Sequence, residues 1–146
     1  MNTAIEIGNN DQRVLPVNPE NIIEFPAGLL GFENRRRFVL ISKEDEAPFM
    51  WLQDLVDDQQ AFLVISPFDV EPDYRPDIAD EDVAAVGIER PQDALLLTIV
   101  TLRADGSATM NLKGPILVNR LTFVGKQVIP TNSSDFAIHH RLPTSM

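Results

Sequence analysis

Ala94-Leu95-Leu96-Leu97-Thr98-Ile99-Val100-Thr101-Leu102 runs through Arg103-Ala104-Asp105-Gly106 into Ser107-Ala108-Thr109-Met110-Asn111-Leu112. Aliphatic and β-branched residues dominate both flanks. Asp-Gly marks the turn, because glycine accepts a positive φ without steric cost. This stretch reads as a β-hairpin. Its apolar arm is the longest in the chain, yet about half of the roughly 20 residues that a membrane helix needs, so no membrane helix is predicted.

Similar runs lie on both sides. Candidate strands are Ile22 to Phe25, Phe38 to Ser42, Phe49 to Gln53, Ala61 to Ser66, Ile116 to Asn119 and Leu121 to Ile129, with a weaker one near Val14 to Val17. Eleven Pro and seven Gly punctuate them and leave no room for long helices. Pro115 cannot donate to a ladder, so it should start a strand or sit at an edge. Gly125 suggests a bulge or bend. One segment differs. Asp80-Glu81-Asp82-Val83-Ala84-Ala85-Val86-Gly87 reads as a two-turn helix, with Asp80 as cap, acids in the first turn and Gly87 as a left-handed stop. The fold class that follows is all-β: a small antiparallel β-barrel-like domain with one short helix. Phe25, Phe32, Phe38, Trp51, Phe62, Leu96, Ile99 and Val128 are expected in its core.

The chain has 146 residues, enough for one ordinary core, so residues 1–146 read as a single domain with 1–12 as a flexible lead. The opening MNTAIEIGNNDQ has neither a basic region nor an apolar run, so it does not read as a secretory signal. There is no Cys, which excludes disulfides, zinc–thiolate sites and Cys nucleophiles and fits the cytosol. Twelve basic against 22 acidic residues give a net charge of -10. Such a chain repels phosphate backbones, and its electrostatic complement is a basic partner.

Candidate sites are few. Pro26-Ala27-Gly28-Leu29-Leu30-Gly31-Phe32-Glu33 lacks the third glycine and the following helix of a phosphate loop. It reads as a tight turn inserting Leu29, Leu30 and Phe32 into the core. His139 and His140 are neighbours, which on an extended segment point to opposite faces and do not share a metal. No metal or cofactor site is expected. Arg35-Arg36-Arg37 reads as a basic run that solvates a loop or neutralises nearby acids. Asn111 and Asn119 flank Pro115 and should bond backbone groups that the proline leaves unpaired. The densest cluster places seven acids in fourteen residues: Asp69, Glu71, Asp73, Asp77, Asp80, Glu81 and Asp82, with Tyr74 among them. Two readings stand, a solvated acidic loop and a docking face for a basic protein.

Taken in order, several stretches resemble the flagellar assembly factor FliW family. They are Ile23-Glu24-Phe25-Pro26-Ala27-Gly28-Leu29-Leu30-Gly31-Phe32-Glu33, Arg37-Phe38, Pro48-Phe49 with Leu52-Gln53, Ala61-Phe62-Leu63-Val64 leading to Ser66-Pro67, and Tyr74. Leu97 to Leu102, then Asn111-Leu112-Lys113-Gly114-Pro115-Ile116-Leu117-Val118-Asn119 and Gly125-Lys126-Gln127-Val128 complete the set. The chain departs from the family's usual residues at Leu30, Gly114 and Phe136 to Arg141. The resemblance implies a cytoplasmic, non-catalytic β-barrel-like protein. It also implies two partners. One is the basic RNA-binding regulator CsrA, whose repression of flagellin translation is relieved by binding; the other is flagellin. On this view Asp69, Glu71, Asp73, Tyr74, Asp77, Asp80, Glu81 and Asp82 belong to the partner face, with the C-terminal stretch from Phe136 to Arg141 as the next place to look. The alternative from another class is a small-molecule-binding β-barrel or a carboxylate-based hydrolase.

Overall fold

A computed structural model describes the backbone of residues 5–6 and residues 22–144. The strand expected near Val14 to Val17 and most of the lead at 1–12 lie outside the described residues. Among the described residues eleven strands and one α-helix follow in order: β1 (Ile5–Glu6), β2 (Ile22–Glu24), β3 (Arg37–Ser42), β4 (Met50–Asp54), β5 (Ala61–Ile65), β6 (Asp77–Ile78), α1 (Asp80–Ala85), β7 (Ala94–Leu102), β8 (Ala108–Met110), β9 (Ile116–Asn119), β10 (Gly125–Gln127) and β11 (His140–Arg141).

The sheet runs β10-β9-β7-β5-β4-β3-β2, and all its strand pairs are antiparallel. β7 is the hub. Its first half pairs with β9, from Ala94↔Asn119 to Leu97↔Ile116. Its second half pairs with β8, from Val100↔Met110 to Leu102↔Ala108, and β11 adds to β8. The hairpin turns at Asp105-Gly106 as read, with Gly106 at φ +86 and Ser107 N donating to Asp105 Oδ1 at 2.9 Å. The sheet curls but does not close. β2 meets the chain ahead of β10 through one parallel bridge, Glu24↔Val124.

Side chains alternate across a strand, so β7 feeds two cores. Leu95 and Leu97 join Ile23, Phe25, Phe38, Leu40, Leu52, Val64, Ile116 and Val118 inside the curl. Ala94, Leu96 and Val100 join Ile65, Met110, Leu117 and Val128 on the outer face. That face is covered by an excursion, residues 66–93 between β5 and β7, which contributes Phe68, Tyr74, Ile78, Val86 and Ile88. The chain after β10 straps the excursion down. Thr131 N donates to Asp77 O, Asn132 Nδ2 to Arg75 O, and Asp77 N to Asn132 Oδ1, all at 2.8–3.0 Å. Thr98 is the one polar side chain within the buried part of β7, and its hydroxyl donates to Ile65 O at 3.0 Å.

β9 begins directly after Pro115, as its missing N–H requires. Asn111 Oδ1 accepts from Lys113 N and Gly114 N across the kink ahead of that proline. Asn119 Nδ2 donates to Val86 O at 2.9 Å, and Leu121 N donates to its Oδ1. Both asparagines thus bond backbone groups, and Asn119 ties the helix end to the sheet. Arg35 neutralises acids as expected, reaching Asp54 at 3.5 Å and Asp57 at 3.4 Å.

The structure corrects four expectations. The long strand from Leu121 to Ile129 shrinks to β10, because Phe123 turns the chain at φ +58 with its N–H donating to Asn119 O. Gly125 then presses on the sheet, where an added Cβ would lie 2.6 Å from the Phe25 ring. Of the three apolar side chains of the Gly28–Gly31 turn and its flank, Leu29 alone is buried, while Leu30 and Phe32 face outward at the tip. Phe32 still packs edge-on against Phe62, which is half-buried along with Trp51 and Ile99; Phe25, Phe38, Leu96 and Val128 are fully in the core. Finally, Ala79 occupies the capping position of α1 without a side-chain bond, and Asp80 starts the helix itself. Gly87 takes the left-handed stop at φ +71.

Two cores sharing one strand make a specific prediction. Leu96→Ala and Leu97→Ala empty opposite cores and should each cost about 2–5 kcal/mol, whereas Leu102→Ala, on an exposed side chain, should stay within about 0.5 kcal/mol. Urea unfolding of the three variants checks this. A small loss for either buried leucine would mean that one core is slack.

Candidate functional site

The acidic excursion is built from short pieces because its sequence allows nothing longer. Pro67 starts a single 3-10 turn to Asp69, Pro72 and Pro76 stiffen the chain beyond it, and α1 follows. Its apolar residues sink into the outer core, so its acids are left at the surface.

Asp69, Asp73 and Glu81 are exposed, and Glu71, Asp77, Asp80 and Asp82 are half-buried. Partial burial raises the Asp69 carboxyl above its ordinary range. Asp82 is not a free charge: its Oδ1 takes the Lys126 ammonium of β10, which pins the helix to the sheet. Asp77 is held through its backbone by the strap. Tyr74 lies in the core at 4% exposure rather than on the surface. Its ring meets Phe136 edge-on at 4.8 Å and Phe68 at 6.1 Å, and its hydroxyl donates to Leu112 O at 2.7 Å. Burial pushes the phenol well above its ordinary pKa near 10.

The strap turns part of this face into a hollow. A cavity of about 300 Å³ opens beside Tyr74, with Leu112, Phe136 and Ala137 in its lining and Glu71, Asp73 and Asp135 as its carboxylates. His140 also lines it, with Nε2 3.4 Å from Glu71 Oε2. Among the described residues no three His, Asp or Glu side chains gather closely enough to hold a metal ion. Three carboxylates share the lining of one hollow with an aromatic ring. A site of this kind attracts a cationic side chain by its charge and receives it on aromatic surface.

Sequence reasoning set the face at residues 69–82 and kept Phe136 to Arg141 apart as a second candidate. The structure brings the two together: the strap carries Asp135 and Phe136 to the hollow, and the pairing of β11 with β8 places His140 there, which no periodicity in Thr131 to Asp135 announces. The nearest signal is composition: an aromatic and two histidines follow one more acid near the end of the chain. Among the described residues no helix is long and apolar enough to cross a membrane.

Comparison with known proteins is consistent across sequence and structure. The model of the FliW protein family matches residues 7–142. The flagellar assembly factor FliW of Leptospira interrogans is 39% identical over 133 residues, covering 90% of this chain and 89% of that protein. Its counterpart in Natranaerobius thermophilus is 35% identical over 130 residues, covering 88% and 85%. A crystal structure of the flagellar assembly factor FliW superposes with a TM-score of 0.77 at 31% identity, covering 97% of this chain and all of that one.

The buried phenol gives a two-sided prediction. Tyr74→Phe should cost about 1 kcal/mol near neutral pH by leaving Leu112 O without its donor. Because the folded pKa lies above the unfolded one, the intact chain keeps the stability of the neutral phenol below about pH 10 and loses it progressively above. The variant should lose less over that alkaline range. Tyr74 is the only tyrosine, so phenolate absorbance reports it alone. Ionisation near pH 10 in the folded chain would contradict its burial.

Proposed function

The chain belongs to the FliW family, and on that premise we propose that it is a cytoplasmic flagellar assembly factor that works by binding rather than catalysis. Its partners in this reading are the basic regulator CsrA and flagellin. Docking CsrA withdraws it from flagellin mRNA and restores translation, while flagellin is held as a chaperone holds its client. The names of the relatives support the assembly role.

The single observation that carries the binding reading is the excursion. It presents Asp69, Glu71, Asp73, Asp77, Asp80 and Glu81 on one segment whose apolar residues, Tyr74 included, are anchored in the outer core. A rigidly backed acidic face attracts a basic protein and speeds its encounter. Asp82 and Tyr74 serve this face by holding its backbone, Asp82 through Lys126 and Tyr74 through Leu112. A hydrolase using the same acids would need two of them aimed at one bond; the relatives are named for assembly, which supports the binding reading instead.

Salt tests the proposal. The association rate with CsrA should fall steeply as the Debye length shrinks from about 10 Å at 0.1 M salt to about 3 Å at 1 M. Reversing the exposed acids in Asp69→Lys, Asp73→Lys and Glu81→Lys should slow association at low salt while leaving the fold intact. Asp82 is kept because it neutralises Lys126. Stopped-flow kinetics measure both effects. A rate in the triple variant equal to that of the parent at low salt moves the docking face elsewhere. Flagellin binding, if it uses another face, should change little in the same variant.

A further inference from the structure

The hollow beside Tyr74 already holds a basic group of the chain's own. His140 sits half-buried on β11 with Nε2 3.4 Å from Glu71 Oε2. Facing it are Glu71 and Asp73 from the excursion and Asp135 from the strap. His139 and Arg141 flank it on its own segment, and Met110, its partner on β8, is neutral. Histidine is the side chain whose charge ordinarily changes between pH 5 and 8. When neutral, His140 brings no charge to the three carboxylates that share its lining. When protonated, it cancels one of them from within.

Building on the docking face proposed above, we infer that His140 gates the hollow by pH. With His140 neutral, the hollow takes one guanidinium or ammonium side chain of the basic partner. With His140 protonated, its imidazolium competes for Glu71 and the partner's cation is held less well. Guanidinium suits the site better than ammonium, because it stacks on aromatic faces and forks onto carboxylates, and Phe136 and Glu71 supply both. Linkage follows directly: seating the partner's cation favours neutral His140, so partner binding releases a proton and weakens as pH falls.

The chain has two histidines, and His139 is exposed with no ion pair to Glu71, so it serves as the internal control. The test titrates a fluorescein-labelled hexa-arginine peptide into the full chain, His140→Asn and His139→Asn from pH 5.5 to 8 at constant ionic strength, read by anisotropy. Affinity should rise roughly fivefold with pH in the parent and in His139→Asn, the weight of one charge pair at about 4 Å in water-like surroundings. In His140→Asn only the shallow slope common to the carboxylates, Asp69 included, should remain. Imidazole resonances of the unaltered protein give a second readout that needs no variant. Saturation with the peptide should lower the titration midpoint of His140 and leave that of His139 in place. Equal slopes in the parent and His140→Asn, or an unmoved His140 midpoint, overturn the gate and leave the acidic face standing. A peptide that binds none of the three proteins at any pH overturns the face as well.

Discussion

The demand that β7 be dry on both sides shapes this molecule. From Ala94 to Val100 its side chains are buried or nearly so, and they point alternately into two cores. A single curled sheet covers one side only. The other side needs a second layer, and the chain supplies it from the segment between β5 and β7 and from the stretch after β10. Thr98 shows how strict the demand is. Its hydroxyl is accepted only because Ile65 O receives it.

The charged face is a by-product of that cover. An excursion rich in acids folds onto an apolar sheet only by sending Phe68, Tyr74, Ile78, Val86 and Ile88 inward, and the acids then line up outward. Few of these charges are spent on the fold. Lys126 neutralises Asp82 and His140 reaches Glu71, while Asp69, Asp73 and Glu81 stay open to solvent. The strap adds Asp135 and Phe136 to the hollow beside Tyr74. Packing and surface charge are thus interleaved along the same short stretch.

Local chemistry made much of the fold legible. The Ala94 to Leu102 strand, the Asp105-Gly106 turn, the start of β9 after Pro115 and the Gly87 stop each rest on a residue with few conformational options. What stayed hidden depends on distant partners. Phe123 and Gly125 shorten the expected last strand because they must meet β2, some hundred residues earlier in the chain. Leu30 and Phe32 are as apolar as Leu29, and only the turn's direction separates exposed from buried. In the site, the acids were plain from charge density, but the burial of Tyr74 was not, since a tyrosine among acids and prolines suits a surface equally well. β6 and β11, two residues each, carry no periodicity at all.

The meeting of β5 and β7 has a mechanical consequence. β3 and β4 share five registered pairs and β4 and β5 share four, but β5 and β7 share two, Val64↔Ile99 and Ile65↔Thr98. The two halves of the sheet meet a second time at the Glu24↔Val124 bridge, where Glu24 N donates to Phe123 O. The excursion leaves β5 and returns into β7, and the strap grips its middle. The layer that carries the acids thus also braces the sheet, fastening β5 to β7 across the ladder of two pairs that they share.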